Sequence, residues 1–181
     1  MFKSVLGALC ICLGAYFSLL INNPIISPIV FMVGILLIIY FDLNLITREI
    51  PLNTKNTPES IQNTCVVLLL NVFTAFFVGL FLPKQALNLN PSFMNSILGG
   101  IVIGLVSLVA KYKKTYKEII IIILMFCFVY LKLPHCVVYA FYSGIDFHNA
   151  IYLLPVISGN IIGGLLIKGI NAKLRKNNIE Y

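Results

Sequence analysis

Six stretches of this chain are apolar over lengths that only a membrane interior accommodates, the densest carrying the isoleucine run Ile119–Ile123. About 18–20 apolar residues cross the hydrocarbon core as a helix. Charges and prolines divide the stretches. The first runs from about Val5 to Ile21 and ends at Asn22-Asn23-Pro24, and the second runs from Pro28 to about Leu45, before Thr47-Arg48-Glu49 and Pro51. The third runs from about Thr64 to Leu82, the fourth from about Phe93 to Ala110. The fifth runs from Glu118 to about Tyr142 with Lys132, Pro134 and His135 inside it, and the sixth from about Ala150 to Ile170. With 60% apolar and 10% charged residues, the chain is far from a soluble domain, where about 25% of residues are charged. The same figures exclude disordered, collagen-like and disulfide-stapled classes. The expected fold is an all-α membrane protein of six transmembrane helices, one domain over residues 1–181. No small-x-small cleavage site follows Leu20-Ile21, so the first stretch reads as a retained helix rather than a signal peptide.

Lysine and arginine orient such a chain, being retained on the cytoplasmic side. Of the 13, Lys3, Arg48, Lys55, Lys111, Lys113, Lys114, Lys117, Lys168, Lys173, Arg175 and Lys176 all fall on one side of a six-helix arrangement. Only Lys84 and the intramembrane Lys132 do not. Both termini are therefore expected to be cytoplasmic, in a multi-pass protein of the cell membrane. The net charge of +7 is a topology signal, and nucleic acid is not an expected partner. The Lys111–Lys117 cluster suits anionic lipid headgroups.

Six helices divide into two sets of three, about residues 5–82 and 93–170, which would be inverted repeats of one another. The second helix of each set carries a polar interruption, Asp42-Leu43-Asn44-Leu45-Ile46-Thr47 in one and Lys132-Leu133-Pro134-His135 in the other. Paired broken helices at matching positions point to a transport site where the breaks meet. Backbone freed by a break must line a cavity or be buried in protein, because lipid offers it no partner.

At these interruptions the chain resembles the formate/nitrite transporter family. Gly159-Asn160-Ile161-Ile162-Gly163-Gly164 looks like that family's GNIIGG signature in the last helix. Leu45-Ile46-Thr47 stands in the place of its Leu-Phe-Thr loop in helix two, Asn71 and the small residues to Ala75 match helix three, and His135 is similar to its central pore histidine. Phe31, sixteen residues before Thr47, and Phe128, seven before His135, match the phenylalanines of its outer constriction. The resemblance covers about residues 5–170 in order. It implies an aquaporin-like six-helix protomer with helices two and five broken, a pore in each protomer, and a homopentamer. The function it implies is passage of small monovalent weak-acid anions such as formate, nitrite or hydrosulfide, with His135 as a route for proton coupling. Lys84 lies where the family has a lysine that draws anions toward the pore mouth; the other reading is an interfacial lysine ending helix three. The departures are Pro134 in place of a glutamate, Tyr139 and Gly100 in place of asparagines, Arg48-Glu49 in place of Gly-Asn, and shortened loops.

The chemistry that such a pore needs follows from dielectric cost. A charge in a low-dielectric interior is expensive, and apolar constrictions (Phe31 with Phe128, and Leu45) bar a hydrated ion. Histidine ordinarily titrates near physiological pH, so it can lend a proton to a weak-acid anion or hold the anion as an imidazolium. The bland alternative for His135 is a buried ring bonded to a carbonyl freed by Pro134. Asp42 and Lys132 would either pair across the two breaks or, for Lys132, supply the charge near the pore. Asn44, Asn71 and Asn160 would bond loop backbone or substrate. The glycines Gly99, Gly100, Gly104, Gly159, Gly163 and Gly164 follow small-residue packing logic. His148 beside Asp146 reads as solvent-exposed.

The five cysteines, Cys10, Cys12, Cys65, Cys127 and Cys136, form no CxxC pair and read as small apolar residues. No metal or cofactor motif is present, and no serine–histidine or paired-aspartate spacing suggests an enzyme. Two rivals to an anion channel stay open: an aquaporin-like pore for neutral solutes, and a non-conducting membrane scaffold.

Overall fold

The computed structural model describes residues 1–21, 23–84, 86–87, 89–111 and 116–176; Asn22, Lys113 and Lys114 of the sequence reading lie outside them. Among the described residues all regular structure is helical: α1 (Phe2–Leu20), α2 (Ile26–Tyr40), α3 (Ile46–Leu52), α4 (Pro58–Leu80), α5 (Phe93–Lys111), α6 (Lys117–Tyr130), α7 (Cys136–Ile145) and α8 (Leu153–Lys176). A 3-10 helix, Phe147–Tyr152, leads into α8. Among the described residues four spans are long and apolar enough to cross a membrane: α1, α4, α5, and α8 with its 3-10 lead-in, Phe147–Lys176. With this composition the chain is an integral membrane protein.

The two expected interruptions are both present, dividing α2 from α3 and α6 from α7. Several boundaries differ from the sequence reading, and three of them have a local cause. Helix continues through Arg48, Glu49 and Pro51 as α3, because two of the Arg48 guanidinium nitrogens are held locally, Nη1 by the Leu43 carbonyl (2.9 Å) and Nη2 by Asp42. Helix α4 begins at Pro58, well before Thr64, because Thr57 caps it by accepting the Ser60 N–H, with proline at the first turn and Glu59 against the helix dipole. Residues 147–149, read as a loop, open the 3-10 helix. Asp146 caps it by accepting the His148 N–H.

Each long helix buries a stripe of small residues. In α4 the buried positions are Val67, Asn71, Ala75 and Gly79, one every four residues, while Phe73 and Phe77 face outward. In α8 they are Val156, Gly159, Asn160, Gly163, Gly164, Ile167 and Asn171. Lipid gives apolar side chains no reason to leave it, so close backbone approach and hydrogen bonding carry helix association. The stripes meet: α5 packs on α8 and α1 on both α2 and α4. The second segment of each broken helix instead crosses to the other half, α3 against α8 and α7 against α4. That exchange brings the two breaks together.

Candidate functional site

The two breaks share one hydrogen-bonding design, offset by 90 residues from Leu45 to His135. Asp42 and Lys132 both sit at φ 51°, the left-handed turn that ends α2 and α6. The following N–H then reaches back into the helix, Leu43 to the Ile38 carbonyl (2.9 Å) and Leu133 to that of Phe128 (3.0 Å). Leu45 and His135 are extended residues that start α3 and α7. The first free N–H of each new helix is taken by an asparagine: Ile46 donates to Asn71 Oδ1 (2.8 Å) and Cys136 to Asn160 Oδ1 (2.8 Å). The same amides donate to the loop carbonyls, Asn71 to Asn44 (3.3 Å) and Asn160 to Pro134 (3.0 Å), and to the first helix of their own half at Ser4 and Ser96 (2.7 Å each). Gly7 and Gly99 leave room for this; a Cβ there would lie 2.6 Å from the Asn44 oxygen and 2.5 Å from that of Pro134. Asn71 and Asn160 thus bond backbone, and Asn44 contributes its carbonyl. The Pro134 carbonyl accepts from Asn160, so it is not the partner of the His135 ring.

The design diverges in what each break presents. At the position of Leu45, which is buried and apolar, the second break has His135. Its Nδ1 accepts the Val137 N–H (3.3 Å) and so caps α7. In the neutral ring this leaves the proton on Nε2, which donates to Thr47 Oγ1 (3.1 Å). His135 and Thr47 are each about 2% exposed, so this contact ties the two breaks together in the interior. The Phe128 ring stands edge-on to His135, centroids 6.2 Å apart.

A cavity of about 570 Å³ reaches His135, lined by the ends of α1 and α2 and by the α6–α7 break. Phe31, Phe128, Lys132 and Tyr139, all singled out from the sequence, line it. Leu45, Thr47, Asn71 and Asn160 do not. Ser18, Ser27 and Tyr142 also line it and were not anticipated. Tyr142 follows Tyr139 by three residues on one face of α7, a helical spacing that could have revealed it (ring centroids 6.2 Å).

Two further charged residues have partners that the sequence did not reveal. Asp42 does not face Lys132; its carboxylate is bound by Arg48 and by Lys3 (3.4 Å), charges already on its own side of the fold. Lys84 donates to the Gly144 carbonyl (2.6 Å), closing the end of α7, and lines a separate cavity of about 720 Å³ with Asp146 and His148. There the Leu87 N–H bonded to Asp146 (3.0 Å) holds its carboxyl below the usual range, aided by the His148 N–H. The His148 ring is exposed, 3.7 Å from Asp146. Lys84→Met is expected to lower thermal stability by about 1 kcal/mol or less, the worth of one partly exposed charge-assisted bond. A detergent melting curve checks this.

No protein-family model matches the sequence, and no curated protein matches it. Solved structures do match. An "FNT family ion channel" superposes with a TM-score of 0.74 at 16% identity, covering 96% of this chain and 86% of that one. A "Pentameric formate channel with formate bound" superposes with a TM-score of 0.69 at 16% identity over 98% of both chains. The resemblance read from a few motifs therefore extends to the whole fold: this chain has the fold of the formate/nitrite transporter channels.

Proposed function

We propose that the protein is a passive channel for small monovalent anions of weak acids, formate, nitrite or hydrosulfide among them, with a pore in each protomer of a homopentamer. The observation that carries this reading is the contact of His135 Nε2 with Thr47 Oγ1 (3.1 Å) behind a cavity walled by Phe31 and Phe128. The pentamer rests on the likeness to a pentameric channel solved with formate, and on no feature of one chain. Residues 1–181 act as one domain, its halves inverted, with both termini cytoplasmic and the His135 cavity as the outer vestibule.

The site's chemistry suits an anion that can change its protonation. Thr47 Oγ1 accepts from His135 and keeps its own hydroxyl hydrogen, so the pair offers donors and no carboxylate. An anion that reaches the ring leaves water at a cost, which a donated hydrogen bond lowers and which a proton removes when the ring has first taken one up from water on the cavity side. A weak acid neutralised there passes the apolar Leu45 side without carrying charge. Dissociation on the far side gives the proton to water there, and the ring is left neutral for the next cycle. Strong-acid anions such as chloride cannot take this route.

His135→Asn separates this role from capping, since asparagine still accepts the Val137 N–H but cannot titrate. Formate flux into proteoliposomes, followed by light scattering, is expected to fall at least about tenfold and to lose its pH dependence. The oligomer should elute as the wild type does. Unchanged flux and pH dependence would remove His135 from the mechanism; equal passage of urea and formate by the wild type would favour a neutral-solute pore. No passage of any solute by an intact oligomer would favour a scaffold.

A further inference from the structure

The linker between α3 and α4 is folded back over the start of α4 and pinned there. Asn53 Nδ2 donates to the Ser60 hydroxyl and to Thr64 Oγ1 (3.3 Å), and Ser60 donates to the Lys55 carbonyl (3.1 Å). From the other side α8 holds the same linker with cations on neutral acceptors, Lys168 on Asn56 Oδ1 (2.8 Å) and Arg175 on Thr54 Oγ1 (3.1 Å). Among the described residues Lys55, Lys168 and Arg175 make no ion pair. Positive charge therefore gathers at this linker without a carboxylate to offset it.

Beneath the linker a groove of about 210 Å³ opens between α4 and α8. Helix α3 packs on both and supplies its floor, the buried Ile46 and Ile50. The lining changes character along its length. Helix α4 runs away from the linker and α8 runs toward it, so Lys55, Ser60 and Lys168 stand at one end and Leu68 and Ile161 at the other. From Ser60 to Leu68 that is about 12 Å, at about 1.5 Å per helical residue. Ile61, Cys65 and Leu165 are exposed along the way, which leaves the apolar part open to hydrocarbon. No carboxylate lines the groove.

We infer that this groove binds an anionic glycerophospholipid, with the phosphate between Lys55 and Lys168 and the start of an acyl chain along Leu165 and Leu68. The inference goes beyond the channel reading and does not depend on it. A basic pocket between membrane helices attracts an anionic headgroup, and the apolar end removes no methylene from hydrocarbon. The groove's size selects the occupant as well. About 210 Å³ takes a headgroup's glycerol and the first carbons of a chain, not a helix of a second copy, whose diameter is about 10 Å. A lipid seated on Ile46 and Ile50 would brace α3, the helix that carries Thr47 to His135.

The test titrates dioleoyl phosphatidylglycerol into the protein in a neutral maltoside detergent and follows the melting temperature. The wild type is expected to melt several degrees higher as the lipid is added. The double variant Lys55→Gln with Lys168→Gln should need about tenfold more lipid, or beyond, for the same rise, because two lysines at the headgroup are lost. Leu165→Trp keeps both charges but fills the apolar part, and should lose the rise too. Lys117→Gln, a lysine that does not line the groove, should behave as the wild type. Phosphatidylcholine with the same chains should give no rise, and neither should glycerol phosphate without chains. No rise in the wild type, or one that survives in both groove variants, would overturn the site. An equal rise with phosphatidylcholine or with glycerol phosphate would overturn it as well. So would dissociation of the oligomer by Leu165→Trp on gel filtration, which would put a second copy in the groove.

Discussion

Asn160→Ala is expected to cost about 3–5 kcal/mol and to lower the melting temperature of the detergent-solubilised protein by about 10 °C. The side chain is 1% exposed and makes three hydrogen bonds, to the Cys136 N–H and to the carbonyls of Ser96 and Pro134. Ser96 lies within α5, and its carbonyl keeps helical geometry. The other two groups belong to the break, where no helix can take them up. Alanine therefore leaves a donor and an acceptor buried with no partner, and each such group costs about 1–3 kcal/mol. Polar contacts between membrane helices often measure less, because the inserted but unassembled chain also finds partners. Here the orphaned groups are loop backbone, so the upper part of the range is the better expectation. Asn160→Asp sharpens the test: it keeps an acceptor for the Cys136 N–H but turns an oxygen toward two carbonyls. It should be at least as damaging as alanine. Asn71→Ala, removing the matching bonds in the first break, should behave alike. An Asn160→Ala protein that melts with the wild type would show that the break does not depend on this amide. Selective loss of flux without loss of stability would move Asn160 into the pore.

Both breaks were legible in the sequence because polar residues at membrane depth must do something, and a proline after Lys132-Leu133 cannot continue a helix. Their shared geometry was half legible. The pairing of Asp42 with Lys132 by position was readable, and both do hold the same left-handed turn. Their pairing by charge was not, because Asp42 is bound instead by Arg48, six residues on in α3, and by Lys3, 39 residues away at the start of α1. Helix α3 was hidden by its own composition. Arg48, Glu49 and Pro51 look like loop until tertiary contacts are known: Asp42 and the Leu43 carbonyl hold Arg48, and Asn171 Nδ2 binds the Pro51 carbonyl (2.8 Å). The start of α4 was missed for the opposite reason. Its capping signature, Thr57-Pro58-Glu59-Ser60, lies in plain view, but a polar first turn does not register as a membrane span. His135 and Phe128 were found by resemblance and lie together. Tyr142 and the Ser18–Ser27 pair belong to the cavity only because α1, α2 and α7 converge there, which no local pattern records.

The largest loss of folded protein is expected from Gly144→Val, with Gly144→Ala already destabilising by about 3 kcal/mol or more. Helix α7 crosses α4 at Gly144 and Gly79, and the contact is backbone on backbone. A Cβ on Gly144 would lie 2.8 Å from the Gly79 Cα and closer still to the Phe76 carbonyl oxygen. No real Cβ is seen at such distances, and neither neighbour is a side chain that could swing away. Alanine's better helix propensity returns only about 1 kcal/mol, too little to offset a forced separation of the helices. Gly169 is the internal control: nothing lies within 4 Å of a Cβ built there, so Gly169→Ala should be neutral or slightly stabilising. Fluorescence-detected gel filtration after mild detergent extraction reads both variants. The consequence reaches the site because α7 is only ten residues long, with His135 at its head and Gly144 near its foot. Moving α7 off α4 by about 1 Å would stretch the 3.1 Å contact between His135 and Thr47 past hydrogen-bond range. On the channel reading, any Gly144→Ala protein that survives extraction should therefore show weakened formate flux. Wild-type melting in Gly144→Ala would mean that α4 and α7 can part without cost.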